Sequence, residues 1–186
     1  MQWNDHSILR DTHAFLSASR YHWINYDIKK LERVYLSWLS VQRGTELHAL
    51  AAKLIDFRQK LPQSPKTLNL FVNDAIGFKM MTEVVLYYSP NCFGTADAIC
   101  FRDNFLRIHD LKTGKIKASI KQLEVYAALF CLEYNTDPNK IDVELRLYQY
   151  NEVLIHVPEI EEILYIMQKI KDFDERIEQL KGEETL

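Results

Sequence analysis

The sequence predicts an α/β protein, a mixed central sheet flanked by helices. Three observations carry that expectation. Apolar residues recur at helical spacing over 27–60, 120–134 and 159–181. Three successive runs, EVVLYY (83–88), FGTADAICF (93–101) and NFLRIHDLK (104–112), alternate in the manner of strands and fit a meander. A fourth run, DVELRLYQY (142–150), stands apart from them beyond a helical segment. The order is αβββαβα, and sheet flanked by helices is the architecture that buries all these faces.

The elements can be justified in turn. Residues 6–26 are aromatic and polar by turns and predict short helices around Ser17 and Ser19. From Asp27 to Lys60, Leu31, Val34, Tyr35, Trp38, Leu47, Leu54, Ile55 and Phe57 mark a helical face, with Arg43-Gly44 as a candidate break into two helices. PQSPK (62–66) is a loop, because prolines end helices. The final helix carries Ile160, Ile163, Leu164, Met167, Ile170, Ile177 and Leu180 on one stripe, which packs on the domain or forms an oligomer contact.

At 186 residues the chain has room for one ordinary domain. With 47% hydrophobic and 26% charged residues it is globular rather than disordered. No apolar run approaches the ~20 residues of a membrane helix, and MQWNDHSILRD is no secretory signal, so a cytoplasmic protein without membrane contact is expected. Cys92, Cys100 and Cys131 form no CxxC pair and are expected as buried free thiols in a reducing cytosol. They are too few for a four-cysteine zinc or iron–sulfur site. The net charge of −3 resolves into −5 for residues 159–186 and +2 for the rest, so it neither supports nor excludes an anionic partner.

The chemistry concentrates in 93–126. Asp103-Asn104 reads as a two-residue hairpin turn, since both residue types tolerate positive φ. Arg102 then pairs with Phe105, Phe101 with Leu106, Ile99 with Ile108, and Asp97 with Asp110. Opposed carboxylates repel, and a divalent cation offsets that repulsion best. Lys112, two residues beyond Asp110, falls on the same face. Lys115, Lys117 and Lys121 follow, placed for phosphate contacts if they are more than a solvated loop. His109 and Arg107 point to the opposite face. Gln122 has a plain structural reading beside the functional one, since Ser119-x-x-Gln122 is a capping box. His48 on its helix reads by default as a half-packed structural histidine. Trp3, Tyr21, His22, Trp23 and Tyr26 read first as a small core and second as stacking surfaces for unpaired bases.

Four segments, GTADAI (94–99), IHDLKTGK (108–115), QLEVYAALF (122–130) and, upstream, RGTELHALA (43–51), together resemble the PD-(D/E)xK nuclease superfamily, in its RecB-like and phage-exonuclease branch. Ala96 stands where the superfamily's name has proline. The resemblance implies a restriction-endonuclease-like αβββαβ core over about 43–150 within a single domain 1–186. An N-terminal helical extension (1–42) and a C-terminal helix (about 159–181) complete it. It implies His48, Asp97 and Asp110 as ligands of one or two Mg²⁺ or Mn²⁺ ions, with the Leu111 carbonyl as a further ligand; the cysteine cluster with which some relatives hold an iron–sulfur cluster is absent here, so no such cluster is expected. It gives Asp97, Asp110 and Lys112 the catalytic roles, with Lys112 positioning water and stabilising charge on the phosphate. Gln122 and Tyr126 match the QxxxY motif, which contacts nucleic acid.

The expectation is therefore a metal-dependent deoxyribonuclease acting on a duplex end or single strand. An exonuclease of phage or prophage recombination, alone, as a homo-oligomer or with a recombination partner, is the first reading. The rivals are a structure-specific endonuclease of the same superfamily and a non-catalytic nucleic-acid-binding module that retains the fold. Glu46 and Glu83 are extra carboxylates that could line the site and are left outside the expected residue set.

Overall fold

A computed structural model describes residues 14–184. The chain divides into two compact units at Thr45/Glu46. In the first, a 3-10 turn (Ala18–Asn25) precedes helix α1 (Ile28–Asp56), which is continuous through Arg43-Gly44 and whose residues from Glu46 onward belong to the second unit. The expected break is absent, because one glycine costs a helix only about 1 kcal/mol and this helix has 29 residues over which to absorb it. Phe15, Tyr35 and Trp38 pack ring to ring, and Trp23 Nε1 donates to the Ser17 carbonyl. Tyr21 and His22 pair with each other at the surface instead of entering that cluster. Trp3 lies outside the described residues.

The second unit contains α2 (Thr67–Gly77), β1 (Met81–Ser89), β2 (Cys92–Arg102), β3 (Phe105–Leu111), α3 (Lys121–Glu133), β4 (Asp142–Gln149), β5 (Glu152–His156) and α4 (Ile160–Glu184). The five strands form one mixed sheet in sequence order. Only β3 and β4 are parallel, joined through α3. The α/β architecture and flanking helices are as expected, with two additions, α2 and β5. Helix α2 escaped sequence reading because its ends lack the usual signals. Its start is capped from 84 residues away, where Asn151 Oδ1 accepts from the Thr67 amide. Its end is a Schellman closure through Lys79 at φ 52°, with Met80 N donating to Ala75 O and Lys79 N to Ile76 O. Strand β5 follows a turn at Tyr150-Asn151, both at positive φ, where no Asn-Gly or Asp-Gly signalled a hairpin.

The sheet carries a core on each face. Leu86, Ile99, Leu106, Ile108, Leu145 and Leu147 meet Leu123, Ala127 and Phe130 of α3 and Ile163 of α4. On the other face Ala98, Leu111 and Tyr148 meet Ala51 and Ile55 of α1 and Phe71, Val72, Ala75 and Ile76 of α2. Beyond Ile170, α4 is held to the β1–β2 turn by polar contacts, with Asp174 accepting from Ser89 and Asn91. Cys131 is buried, whereas Cys92 and Cys100 are only partly so, a correction to the expectation of three buried thiols.

One irregularity positions the site. In a regular strand residues two apart share a face. Yet Val84 and Ala96 pack toward α3, while Ala98 packs toward α1 and α2 and the Thr82 hydroxyl donates to Asp56 of α1. The switch falls between them. Ladder pairs Thr82–Ala98 and Val84–Ala96 leave Glu83 across from Asp97, and Glu83 has φ 51°.

Candidate active site

The hairpin that builds the site has the expected register. Asp103 and Asn104 both adopt positive φ (52° and 59°), and Arg102–Phe105, Phe101–Leu106 and Ile99–Ile108 pair in turn. The ladder ends at Ala98–His109, one step before the two aspartates. There the Asp97 side chain takes over from the backbone: Asp97 Oδ2 accepts from the Leu111 amide at 2.8 Å. Its other oxygen, Oδ1, accepts from His48 Nδ1 of α1 at 3.2 Å. The bond to Asp97 raises the His48 pKa above the ordinary histidine value; partial burial and Lys112 oppose this, and the charges of Asp97 and Asp110 add to it.

Asp110 is almost fully buried, its side chain 3% exposed. Burial and the neighbouring Asp97 charge raise its pKa, while Lys112 and His48 oppose the rise. Lys112 Nζ lies 3.1 Å from Asp110 Oδ1 and 3.0 Å from Oδ2, but the geometry at Oδ2 makes no hydrogen bond. The ammonium also donates to Gln122 Oε1 at 2.7 Å, and Gln122 Nε2 donates to Tyr126 OH at 2.9 Å. Asp110, Lys112, Gln122 and Tyr126 thus form one hydrogen-bonded line from the strand end to α3.

The capping-box reading of Gln122 is corrected by this. The Ser119 hydroxyl accepts from the Lys121 amide, and the Gln122 side chain is engaged by Lys112 and Tyr126 instead of reaching back to the helix start. Gln122 is exposed and Tyr126 buried, so Tyr126 backs the glutamine from within. The ring is seated by Gly94: a Cβ there would lie 2.8 Å from Tyr126 Cε1.

Lys115 and Lys117 are exposed on the loop after β3. Gln149, at the end of β4, holds that loop by donating to Gly114 O and Ile116 O and accepting from the Ala118 amide. Nothing in the residue type or spacing of Gln149 signals this. Lys121 is drawn away from the site, ion-paired to Glu124 at 2.8 Å and Glu162 at 2.9 Å. His109 is buried on the α2 face against Phe78, its Nδ1 on the Tyr148 hydroxyl.

Of the two further carboxylates, Glu83 lies beside the site. Glu83 faces Asp97 across the β1–β2 ladder, its pKa raised first by burial and then by Asp97. Glu46 lies on exposed surface of α1. Among the described residues, the His, Cys, Asp and Glu donors that all lie within 4.8 Å of one another are those of Glu124, His156 and Glu162. The Lys121 ammonium already occupies that cluster, which braces α3 against α4 and β5. His48, Asp97 and Asp110 form a more open arrangement, each bonded to a protein partner. The donor set nonetheless suits Mg²⁺ or Mn²⁺, two carboxylates and an imidazole with one buried carboxylate oxygen left without a hydrogen bond.

Over residues 79–149 the chain is similar to the family described as Protein of unknown function (DUF2800). That stretch is less than half of the chain. It spans Asp97, Asp110, Lys112, Gln122 and Tyr126 but not His48. No curated protein and no solved structure matches the chain. No helix among the described residues is long and apolar enough to cross a membrane.

Proposed function

We propose that the protein is a metal-dependent deoxyribonuclease, an exonuclease that hydrolyses phosphodiester bonds at His48, Asp97, Asp110 and Lys112. The observation that carries the reading is Asp110: a buried carboxylate beside a second aspartate, one oxygen hydrogen-bonded to Lys112 and the other 3.0 Å from the same ammonium without a hydrogen bond. A structural ion pair has no need of the second acid. Burying like charges side by side is unfavourable, and a bound divalent cation would offset that cost.

His48, Asp97 and Asp110 would hold the ion, with the Leu111 carbonyl as a further ligand. When bound, Mg²⁺ or Mn²⁺ supplies the positive charge that lets an anionic phosphodiester approach two aspartates, and it acidifies a coordinated water. The chain's own residues do the rest. Lys112 orients the attacking water and stabilises charge that develops on the phosphate. Gln122 holds the ammonium in place, and Tyr126 fixes Gln122 in turn. Lys115 and Lys117 bind neighbouring phosphates of the strand. Three free thiols suit a reducing compartment such as a cytoplasm.

The test is cleavage of end-labelled linear duplex, single-stranded and closed-circular DNA with Mn²⁺, with Mg²⁺ and with EDTA, using Asp110→Ala as control. Metal-dependent loss of linear DNA alone, absent in the variant, is the expected result. Nicking of the circle replaces the exonuclease with an endonuclease. DNA binding without cleavage of any substrate replaces the enzyme with a binding module.

A further inference from the structure

A cavity of about 330 Å³ opens beside Lys112, at the lower end of the range of small-molecule sites. Its walls join apolar and cationic groups: Leu47 and Leu68, Lys112 and Lys115, and Tyr150 at the β4–β5 turn. The turn is locked in place. Asn151 Oδ1 accepts from both the amide and the hydroxyl of Thr67, and the Asn151 amide donates back to the Thr67 hydroxyl.

Tyr150 is the wrong residue for that turn. It sits at φ 56°, a conformation that Asn, Asp and Gly accept and a bulky side chain resists. The β2–β3 turn of the same sheet solves the same problem with Asp103 and Asn104. The described fold gives the Tyr150 ring no polar or aromatic partner in exchange. It is 52% exposed, and among the described residues it makes no hydrogen bond or ring contact. Residues held in a sparsely populated conformation without structural return are concentrated at binding sites.

We propose that this cavity is a nucleobase subsite: Tyr150 stacks on a base of the cleaved strand next to the phosphate at Lys112, and Lys115 engages the adjoining phosphate. A base offers a flat apolar face to Tyr150 and the leucines, and a phosphate on either side matches the two lysines. The proposal rests on the nuclease reading and adds the residue that grips the strand.

The experiment uses full-length Asp110→Asn protein and single-stranded oligonucleotides carrying 2-aminopurine at each of the first three positions from either end. Stacking quenches the probe at one position, and Tyr150→Asn abolishes that quench while Tyr150→Trp retains it. Base–aromatic stacking predicts an affinity loss of about five- to 150-fold for Tyr150→Asn. Its melting temperature should be equal to or above that of the parent, because Asn suits the turn. If Tyr150→Asn binds DNA with unchanged affinity and quench while wild-type protein cleaves, the subsite is refuted and the nuclease stands. A fall in melting temperature alongside the affinity loss refutes it too, since Tyr150 would then be structural. Wild-type protein that neither binds nor cleaves DNA overturns both.

Discussion

Gly94→Ala tests the link between packing and chemistry most directly. Gly94 has no positive φ, so the backbone tolerates alanine, and loss of unfolded-state freedom alone would stabilise the protein by ~0.4–1 kcal/mol. Packing predicts the opposite sign. The new Cβ would lie 2.8 Å from Tyr126 Cε1, roughly 1 Å inside the ~3.5–4.0 Å that two carbons prefer. The contact is with a ring atom buried against the sheet, not with the tip of a flexible chain. Overpacking of this kind costs about 1–3 kcal/mol, at roughly 2–4 °C of melting temperature per kcal/mol for a chain of this size. Tyr126 anchors Gln122, which anchors Lys112. A misplacement of ~1 Å in a catalytic group can cost 10²-fold in rate. Differential scanning fluorimetry and a cleavage assay read the two effects separately. Adding Tyr126→Leu should restore the melting temperature but not the rate, because the hydroxyl that holds Gln122 is gone. An unchanged melting temperature refutes the contact, and a destabilised but fully active variant refutes the line from Tyr126 to Lys112.

Other expectations follow from the same geometry. Asp110→Asn removes a buried like charge beside Asp97, so the metal-free variant should melt higher than wild type, and Mg²⁺ or Mn²⁺ should raise the melting temperature of wild type but not of the variant; a shift retained in the variant moves the metal elsewhere. Burial, with Arg146 and Arg107 nearby, lowers the His109 pKa to about 3. The unfolded chain therefore takes a proton that the fold refuses. Stability should fall as pH drops from about 6.5 toward 3, by on the order of 4 kcal/mol at the end, and His109→Gln should flatten that part of a melting-temperature profile. An identical slope in the variant would show that other groups dominate. Gln149→Ala unties the loop at Gly114, Ile116 and Ala118, so trypsin should cut after Lys115 or Lys117 faster than in wild type. Equal cutting rates would mean the loop is held by something else.

Local signals explain what could be read from the sequence. The hairpin register was legible because Asp103 and Asn104 fix the turn and carry the pairs along as far as Ala98–His109, whereas the expected Asp97–Asp110 pair lies beyond the end of the ladder. Glutamine and tyrosine at a spacing of four placed Gln122 and Tyr126 on one face, but the spacing does not say that Gln122 turns its oxygen to Lys112. Helix ends were less visible. Arg58, Lys79 and Asn135 close α1, α2 and α3 in the left-handed conformation where glycine is the usual marker. The face switch at Glu83 was also hidden, since glutamate at positive φ has no sequence signature. His48 reaches Asp97 across 49 residues, a distance only the family resemblance bridged.

The sheet's connectivity also sets an order of assembly. Strands β1, β2 and β3 close through two tight turns, and hairpins form in about 1–10 μs. The parallel β3–β4 pair must wait for the chain from Lys112 to Ile141 to fold back through α3, and distant pairings of that kind are slow. Asp97 and Asp110 should therefore come together before β4 covers the edge of β3. The nascent hairpin folds against its own charge, and a divalent cation in the refolding buffer should speed this early phase by screening the two carboxylates.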